Sequence, residues 1–137
     1  MFSGIFQETT IPVLQEVIGF AQARHSVLAG NIANLDTPGY KVRDLSVEDF
    51  QKRLQEAIQQ RHEPAMPRSP GEIGPDQRPR LAEVAKNAPT ILYHDQSNVG
   101  LEHQVTEMAK NHMQHNLALS ILNSQFRLLT AAVTGRA

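Results

Sequence analysis

The chain has no cysteine and no tryptophan, and aromatic residues make up only 5% of its 137 residues. Without cysteine there can be no disulfide, iron–sulfur cluster or thiolate zinc site. So few aromatic residues leave small and aliphatic side chains to form the core, which favours helix-on-helix packing over a β-sandwich. At this length we expect one small folded unit.

A strong charge of either sign is also lacking, since the formal net charge is −1. A nearly neutral chain has no overall field that would draw it to nucleic acid or to an acidic membrane. No stretch approaches the ~20 apolar residues of a membrane span. The first basic residue, Arg24, follows Glu8, whereas a cleaved secretory signal starts with a basic region. We therefore expect no nucleic-acid binding, no membrane insertion and no cleaved signal.

The charges that are present concentrate in the middle of the chain. Residues 44–90 carry 15 charged residues, whereas 10–35 carry two and 98–134 carry four. This pattern divides the chain into an amino-terminal segment (1–43), a middle segment (44–97) and a carboxy-terminal segment (98–137). In the middle, Ser46 and Asp49 predict a capped short helix that runs through Ile58. Residues 61–80 hold five of the eight prolines and predict an irregular linker, and 90–93 predict a short extended piece.

Each end of the chain has the periodicity of a long helix. The first helix is predicted from about residue 10 to 34, ending before the turn pair Pro38-Gly39. The last is predicted from a cap near Asn98 to Gly135. Apolar residues recur in a 4-3 pattern in both, which is typical of a coiled-coil seam. The predicted fold is therefore all-α, with the two terminal helices paired as an antiparallel hairpin. The predicted seam comprises Leu14, Ile18, Ala21, His25, Leu28, Ile32 and Leu35 with Leu101, Val105, Met108, His112, His115, Leu119, Leu122, Phe126, Leu129 and Val133.

A second apolar stripe runs along each terminal helix, away from the predicted seam. Its members are Val13, Phe20 and Val27 in the first helix and Met113, Leu117, Ile121 and Leu128 in the last. A helix that is apolar on more than one face is normally buried on more than one face. Packing of neighbouring copies side by side would bury these stripes. The alternative is a small monomeric bundle in which the short middle helix covers them.

Three histidines, His25, His112 and His115, fall on the predicted seam. Inward imidazoles can hold a metal in a helical bundle, but no carboxylate accompanies them on the seam. Polar residues in a seam more often set its register. The chain also lacks a Gly-x-Ser-x-Gly elbow and a phosphate-binding loop. We expect a structural protein without a cofactor, with a histidine-ligated metalloprotein as the weaker interpretation.

The stretch from Ala33 to Lys41 reads Ala-Asn-Leu-Asp-Thr-Pro-Gly-Tyr-Lys, and it closely resembles the signature shared by bacterial flagellar rod and hook proteins. The residues of that signature are Ala33, Asn34, Thr37, Pro38, Gly39, Tyr40 and Lys41. The following Arg43-Asp44 and Phe50 resemble the B subfamily of proximal rod proteins. The last helix is similar to that subfamily at Leu101-Glu102, Met108-Ala109, Asn111, Phe126 and Leu128-Leu129.

The resemblance implies a structural subunit of the proximal rod, the drive shaft of the flagellar basal body. Such subunits are exported through the flagellar type III apparatus and form a helical tube on the periplasmic side. The implied partners are further copies, other rod proteins and the protein that joins the basal-body ring to the export gate. A soluble helical adaptor or export chaperone remains the alternative from another functional class.

Overall fold

A computed structural model describes residues 9–62, 84–86, 88–92 and 100–135. The described elements are α1 (Ile11–Ala33), β1 (Arg43–Leu45), α2 (Val47–His62), β2 (Thr90–Leu92) and α3 (Leu101–Thr134). The all-α class and the pairing of the long terminal helices are confirmed, with one small two-stranded sheet added. Most of the predicted linker, 63–80, and the predicted cap Asn98 lie outside the described residues.

Helix α1 begins and ends within one residue of the predicted limits. Pro12 lies in its first turn, where a missing backbone N–H leaves no helical bond unmade. Thr10 precedes the helix without a side-chain cap. At the other end the Asn34 side chain donates to the carbonyl of Gly30 at 2.8 Å. The same carbonyl accepts the Asn34 backbone N–H at 3.1 Å, so Asn34 closes this end of the helix through both its side chain and its backbone.

The short middle helix α2 is capped as its sequence predicts. The Ser46 hydroxyl accepts the backbone N–H of Asp49 at 3.1 Å. The Ser46 N–H donates to the Pro89 carbonyl at 3.1 Å. The two strands β1 and β2 pair antiparallel with Asp44 opposite Ile91. The chain on both sides of the proline-rich stretch is therefore held together just before α2 begins.

The apolar core lies between α1 and α2, not between the terminal helices. The rings of Phe20 and Phe50 stack with centroids 4.0 Å apart, and Leu45, Ala57 and Val84 are buried around them. The described part of the middle segment is thus packed on the amino-terminal helix. It buries the face of α1 that the hairpin leaves uncovered.

Helices α1 and α3 run antiparallel. Hydrogen bonds join Asn31 to Gln104, Arg24 to Glu107 and Ala21 to Asn111, so the numbers rise on one helix as they fall on the other. At 1.5 Å per residue the 23 residues of α1 span about 35 Å and the 34 of α3 about 50 Å. The carboxy-terminal end of α3 therefore runs past Ile11, where α1 begins.

Candidate functional site

The side of α3 that packs on α1, here called the contact face, is largely polar. Gln104, Asn111 and Ala118 are its buried residues, and their spacing of seven places them on one side of the helix. The amide of Asn111 donates to the Ala21 carbonyl at 2.8 Å. Small and polar side chains thus occupy the positions where a coiled coil normally has aliphatic ones.

Asn31 is the centre of the first polar cluster, and its residue exposure is 0%. Its amide donates to the Arg43 carbonyl at 2.6 Å and to the Gln104 side-chain oxygen at 3.1 Å. Its side-chain oxygen accepts the Arg43 N–H and the Tyr40 hydroxyl, each at 3.2 Å. Both N–H groups and the oxygen of one amide are therefore satisfied. This single side chain links α1, the turn that follows it, β1 and α3.

Arg24 forms a buried ion cluster with two carboxylates. Its Nε and Nη2 donate to the two oxygens of Asp44 at 2.9 and 2.7 Å, and Nη2 also donates to Glu107 at 2.9 Å. The Asp44 contact raises the pKa of Arg24 against the opposing effect of burial. Hydrogen bonds from Lys110 and then Arg24 lower the pKa of Glu107. The cluster joins β1 to both terminal helices.

The signature residues form a tight connection from α1 to β1. The Tyr40 N–H donates to the Thr37 carbonyl at 3.1 Å, and Gly39 has φ of 78°. Proline followed by glycine at positive φ is the pattern of a type II turn. The turn places the Tyr40 hydroxyl on Asn31. Ala33, Thr37, Pro38 and Lys41 of the signature are exposed. Within the described residues, the turn reverses the backbone at the end of α1 and leads it into β1.

The contact face differs from the predicted seam by one position along α3. In α1 the structure buries the seam residues Ala21 and Leu28 and exposes His25. Of the seam residues in α3, Met108, His115, Leu122 and Leu129 are half-buried. The others are exposed: Leu101, Val105, His112, Leu119, Phe126 and Val133. Buried Arg24 and Asn31 require polar partners, and on α3 the face with Gln104 and Glu107 supplies one to each.

The second stripe behaves differently in the two terminal helices. In α1, Phe20 lies in the core and Val27 packs against it, while Val13 is half-buried. The structure therefore places Phe20 and Val27 inside one chain, covered by α2 and its neighbours, and corrects their assignment to a subunit interface. The members in α3, here called the outer stripe, remain exposed: Met113 72%, Leu117 63%, Ile121 41% and Leu128 61%. Their role as an interface stays a prediction.

The three seam histidines line one groove of about 400 Å³ between α1 and α3. His25 and His112 are exposed, and Nε2 of His115 is buried without a hydrogen-bond partner. Over the described residues, no three histidine, cysteine or carboxylate side chains are grouped as metal ligands. Nor does any described helix have the length and apolarity to cross a membrane.

Sequence reasoning missed Arg24, Asn31, Asp44, Gln104 and Glu107 as the residues that hold the hairpin together. One signal could have found part of this set. Arg24 is one of only two charges in residues 10–35, and a lone charge in a charge-poor helix requires a partner once it is buried. Asp44, three residues after the last signature residue Lys41, provides the carboxylate that pairs with Arg24.

A helical hairpin with a polar contact face and an exposed apolar stripe on α3 favours a structural protein that assembles through its helices. Comparison with known proteins identifies the family. A model of the flagella basal body rod protein family matches residues 21–41, which include the end of α1 and the signature turn. Flagellar basal body rod protein FlgB of Escherichia coli K12 is 32% identical over 119 residues, covering 82% of this chain and 84% of the relative. FlgB of Bacillus subtilis is 25% identical over 98% of this chain and 97% of the relative. FlgB of Aquifex aeolicus is 29% identical over 93% and 94%.

The chain belongs to the FlgB family of flagellar basal body rod proteins. It is a structural rod subunit rather than an enzyme, because it belongs to a family of flagellar basal body rod proteins. Membership in a rod-protein family does not fit the alternative interpretation as a soluble adaptor or export chaperone.

Proposed function

We propose that the chain is a subunit of the proximal rod and polymerises through the outer stripe of α3 into the shaft that transmits torque. The observation that carries this proposal is the exposure of Met113, Leu117 and Leu128, each above 60% in the single chain. Exposed apolar residues that recur along one helix face mark an interaction surface. The exposure of Leu101, Val105 and Phe126 extends that surface to the other flank of the contact face.

Charge distribution supports burial of this surface between subunits. Beyond Lys110, α3 carries a single charged residue, Arg127. An uncharged helix surface loses little hydration free energy when a neighbour covers it, whereas desolvating an unpaired charge is costly. Contacts between different patches of identical subunits generate an open helical filament when the rotation between neighbours does not close a ring.

We also propose the route, place and partners of the subunit. It passes through the flagellar type III apparatus, assembles on the periplasmic side, and contacts other rod proteins and the protein between the basal-body ring and the export gate. Two observations support this proposal. The chain belongs to a family of rod proteins, and the single chain leaves the apolar residues of the outer stripe exposed.

The test is the substitution Leu117→Glu in the outer stripe. Burying a carboxylate without a partner costs several kcal/mol and does so at every repeat of the contact. Leu117→Met is the matched control, because it keeps the apolar character and approximate volume. We expect normal export of both variants and depletion of Leu117→Glu alone from purified basal bodies. Incorporation of Leu117→Glu at the level of the control would refute the assembly role of the stripe.

A further inference from the structure

An apolar groove of about 320 Å³ lies between α1, α2 and α3. Leu14 and Val17 of α1, Leu54 of α2, and Leu117 and Ile121 of α3 are among its lining residues. Of all the described residues that line it, two are polar, both of them glutamines, and none is charged. It is an unfilled apolar space, open to solvent, on a small protein.

The groove exists because α2 and α3 both pack on α1 and leave a space between themselves. Ala118 is the buried residue of α3 at this level of the hairpin, and its methyl group is too short to fill the space above the Phe20–Phe50 stack. The outer stripe residues Leu117 and Ile121 form one wall and stay exposed. The groove is therefore continuous with the surface proposed above as the subunit interface.

We propose that this groove receives the carboxy-terminal end of α3 from a second copy of the chain, with Leu128 entering it. This inference rests on the proposed function and specifies one of its contacts. Leu128 is 61% exposed and continues the outer stripe in the part of α3 that runs past Ile11. Neither surface carries a mismatched charge: the lining has none, and the end of α3 has only Arg127. An amphipathic helix laying apolar residues into a groove is a common mode of recognition.

The same chain cannot supply the occupant from α3. Leu128 is seven residues, or about 10 Å, beyond Ile121 on one continuous helix, and Ile121 is part of the groove wall. A helix cannot fold back into a groove that it forms itself. Groove and inserted end are different patches of identical subunits. Repeated along a rod, each copy inserts its end into one neighbour and receives the end of another, and the contact forms an open filament when the rotation does not close a ring.

The absence of cysteine from the natural sequence makes a thiol test direct. Two differently tagged full-length copies, one carrying Gln51→Cys and the other Leu128→Cys, are expressed together in cells lacking the native gene. Gln51 is an exposed residue that lines the groove. A disulfide forms only when the two Cα atoms approach within about 4.4–6.8 Å. We expect a disulfide-linked pair carrying both tags in isolated basal bodies.

The matched control pair is Lys52→Cys with Arg127→Cys, the exposed neighbours that do not line the groove. This pair is expected to give no linked product. Normal incorporation of Gln51→Cys and Leu128→Cys without a linked product would overturn the contact and leave the proposed function standing. If mass spectrometry instead found Gln51→Cys linked to another protein, that protein would be the occupant of the groove and the proposed contact would be wrong.

A third pair tests the chain's own amino terminus as the occupant. A single copy carrying Phe6→Cys and Gln51→Cys that links within itself would overturn the proposal in favour of that segment. Failure of every version of the chain, including the unsubstituted one, to enter basal bodies would remove both this contact and the proposed function.

Discussion

The buried ion cluster gives a sharp prediction for Arg24→Met. Arg24 donates three hydrogen bonds at 2.7–2.9 Å to Asp44 and Glu107. The Asp44 side chain is only 9% exposed and would keep one bond, from the Leu45 N–H at 2.7 Å. Removing one partner of a buried pair leaves an uncompensated charge and costs about 3–5 kcal/mol. We expect the free energy of unfolding to fall by about that amount.

The matched variant is Glu107→Gln, which removes a charge from the more exposed end of the cluster. Glu107 is 18% exposed and is also bound by Lys110 at 2.7 Å, so its replacement leaves Arg24 paired with Asp44. A loss of about 1 kcal/mol is expected, the typical net value of a hydrogen bond. Urea unfolding followed by circular dichroism measures both variants. An Arg24→Met protein as stable as Glu107→Gln would refute the claim that this cluster is a buried, mutually dependent unit.

Two further predictions follow from the cluster and the turn. Hydrogen bonds from Lys110, and then from Arg24, lower the pKa of Glu107. The ionised Glu107 carboxylate therefore stabilises the fold above the ordinary carboxyl pKa, and this stabilisation is lost as the pH falls through the lowered pKa. In a urea titration from pH 6 to pH 3, wild type should lose stability relative to Glu107→Gln, and parallel curves would contradict this assignment. Gly39→Ala should lower the free energy of unfolding by about 1–2 kcal/mol, because φ of 78° is strained for a residue with a Cβ. Gly100→Ala is the control and should be tolerated, because φ there is −54° and no atom lies within 4 Å of an added Cβ. Equal thermal midpoints for the two alanine variants would show that the turn is not fixed by its glycine.

Local sequence signals predicted the elements of this fold well. The limits of α1, the Ser46 cap and the Pro38-Gly39 turn each depend on a few neighbouring residues whose backbone preferences are strong. The antiparallel pairing of α1 with α3 followed from their shared periodicity and their lengths. None of these predictions required knowledge of which side chains meet across the fold.

The contact face of α3 could not be predicted in the same way. A periodicity argument counts apolar residues and therefore placed Val105 and Leu119 against α1. The structure instead buries Gln104 and Asn111 there, because the polar groups of α1 must be paired when they leave water. Phe20 was wrongly assigned to a subunit interface. The spacing of apolar residues along a helix does not distinguish a stripe that stays exposed from one that a distant segment of the same chain covers. The partner of Phe20, Phe50, lies 30 residues away across a turn and a strand.

The arrangement of polar and apolar faces on α3 suits a subunit that must fold one way and then assemble. A slip of one residue between α1 and α3 would break the Asn31–Gln104 and Asn111–Ala21 bonds together, and each buried group left unsatisfied costs about 1–3 kcal/mol. An aliphatic seam would tolerate that slip better, since apolar contacts are not directional. The polar contact therefore fixes the register of the hairpin, and most aliphatic residues of α3 remain exposed. Each Å² that a neighbour covers there contributes about 25 cal/mol, so the surface that does not stabilise the single chain is the one that can stabilise the rod.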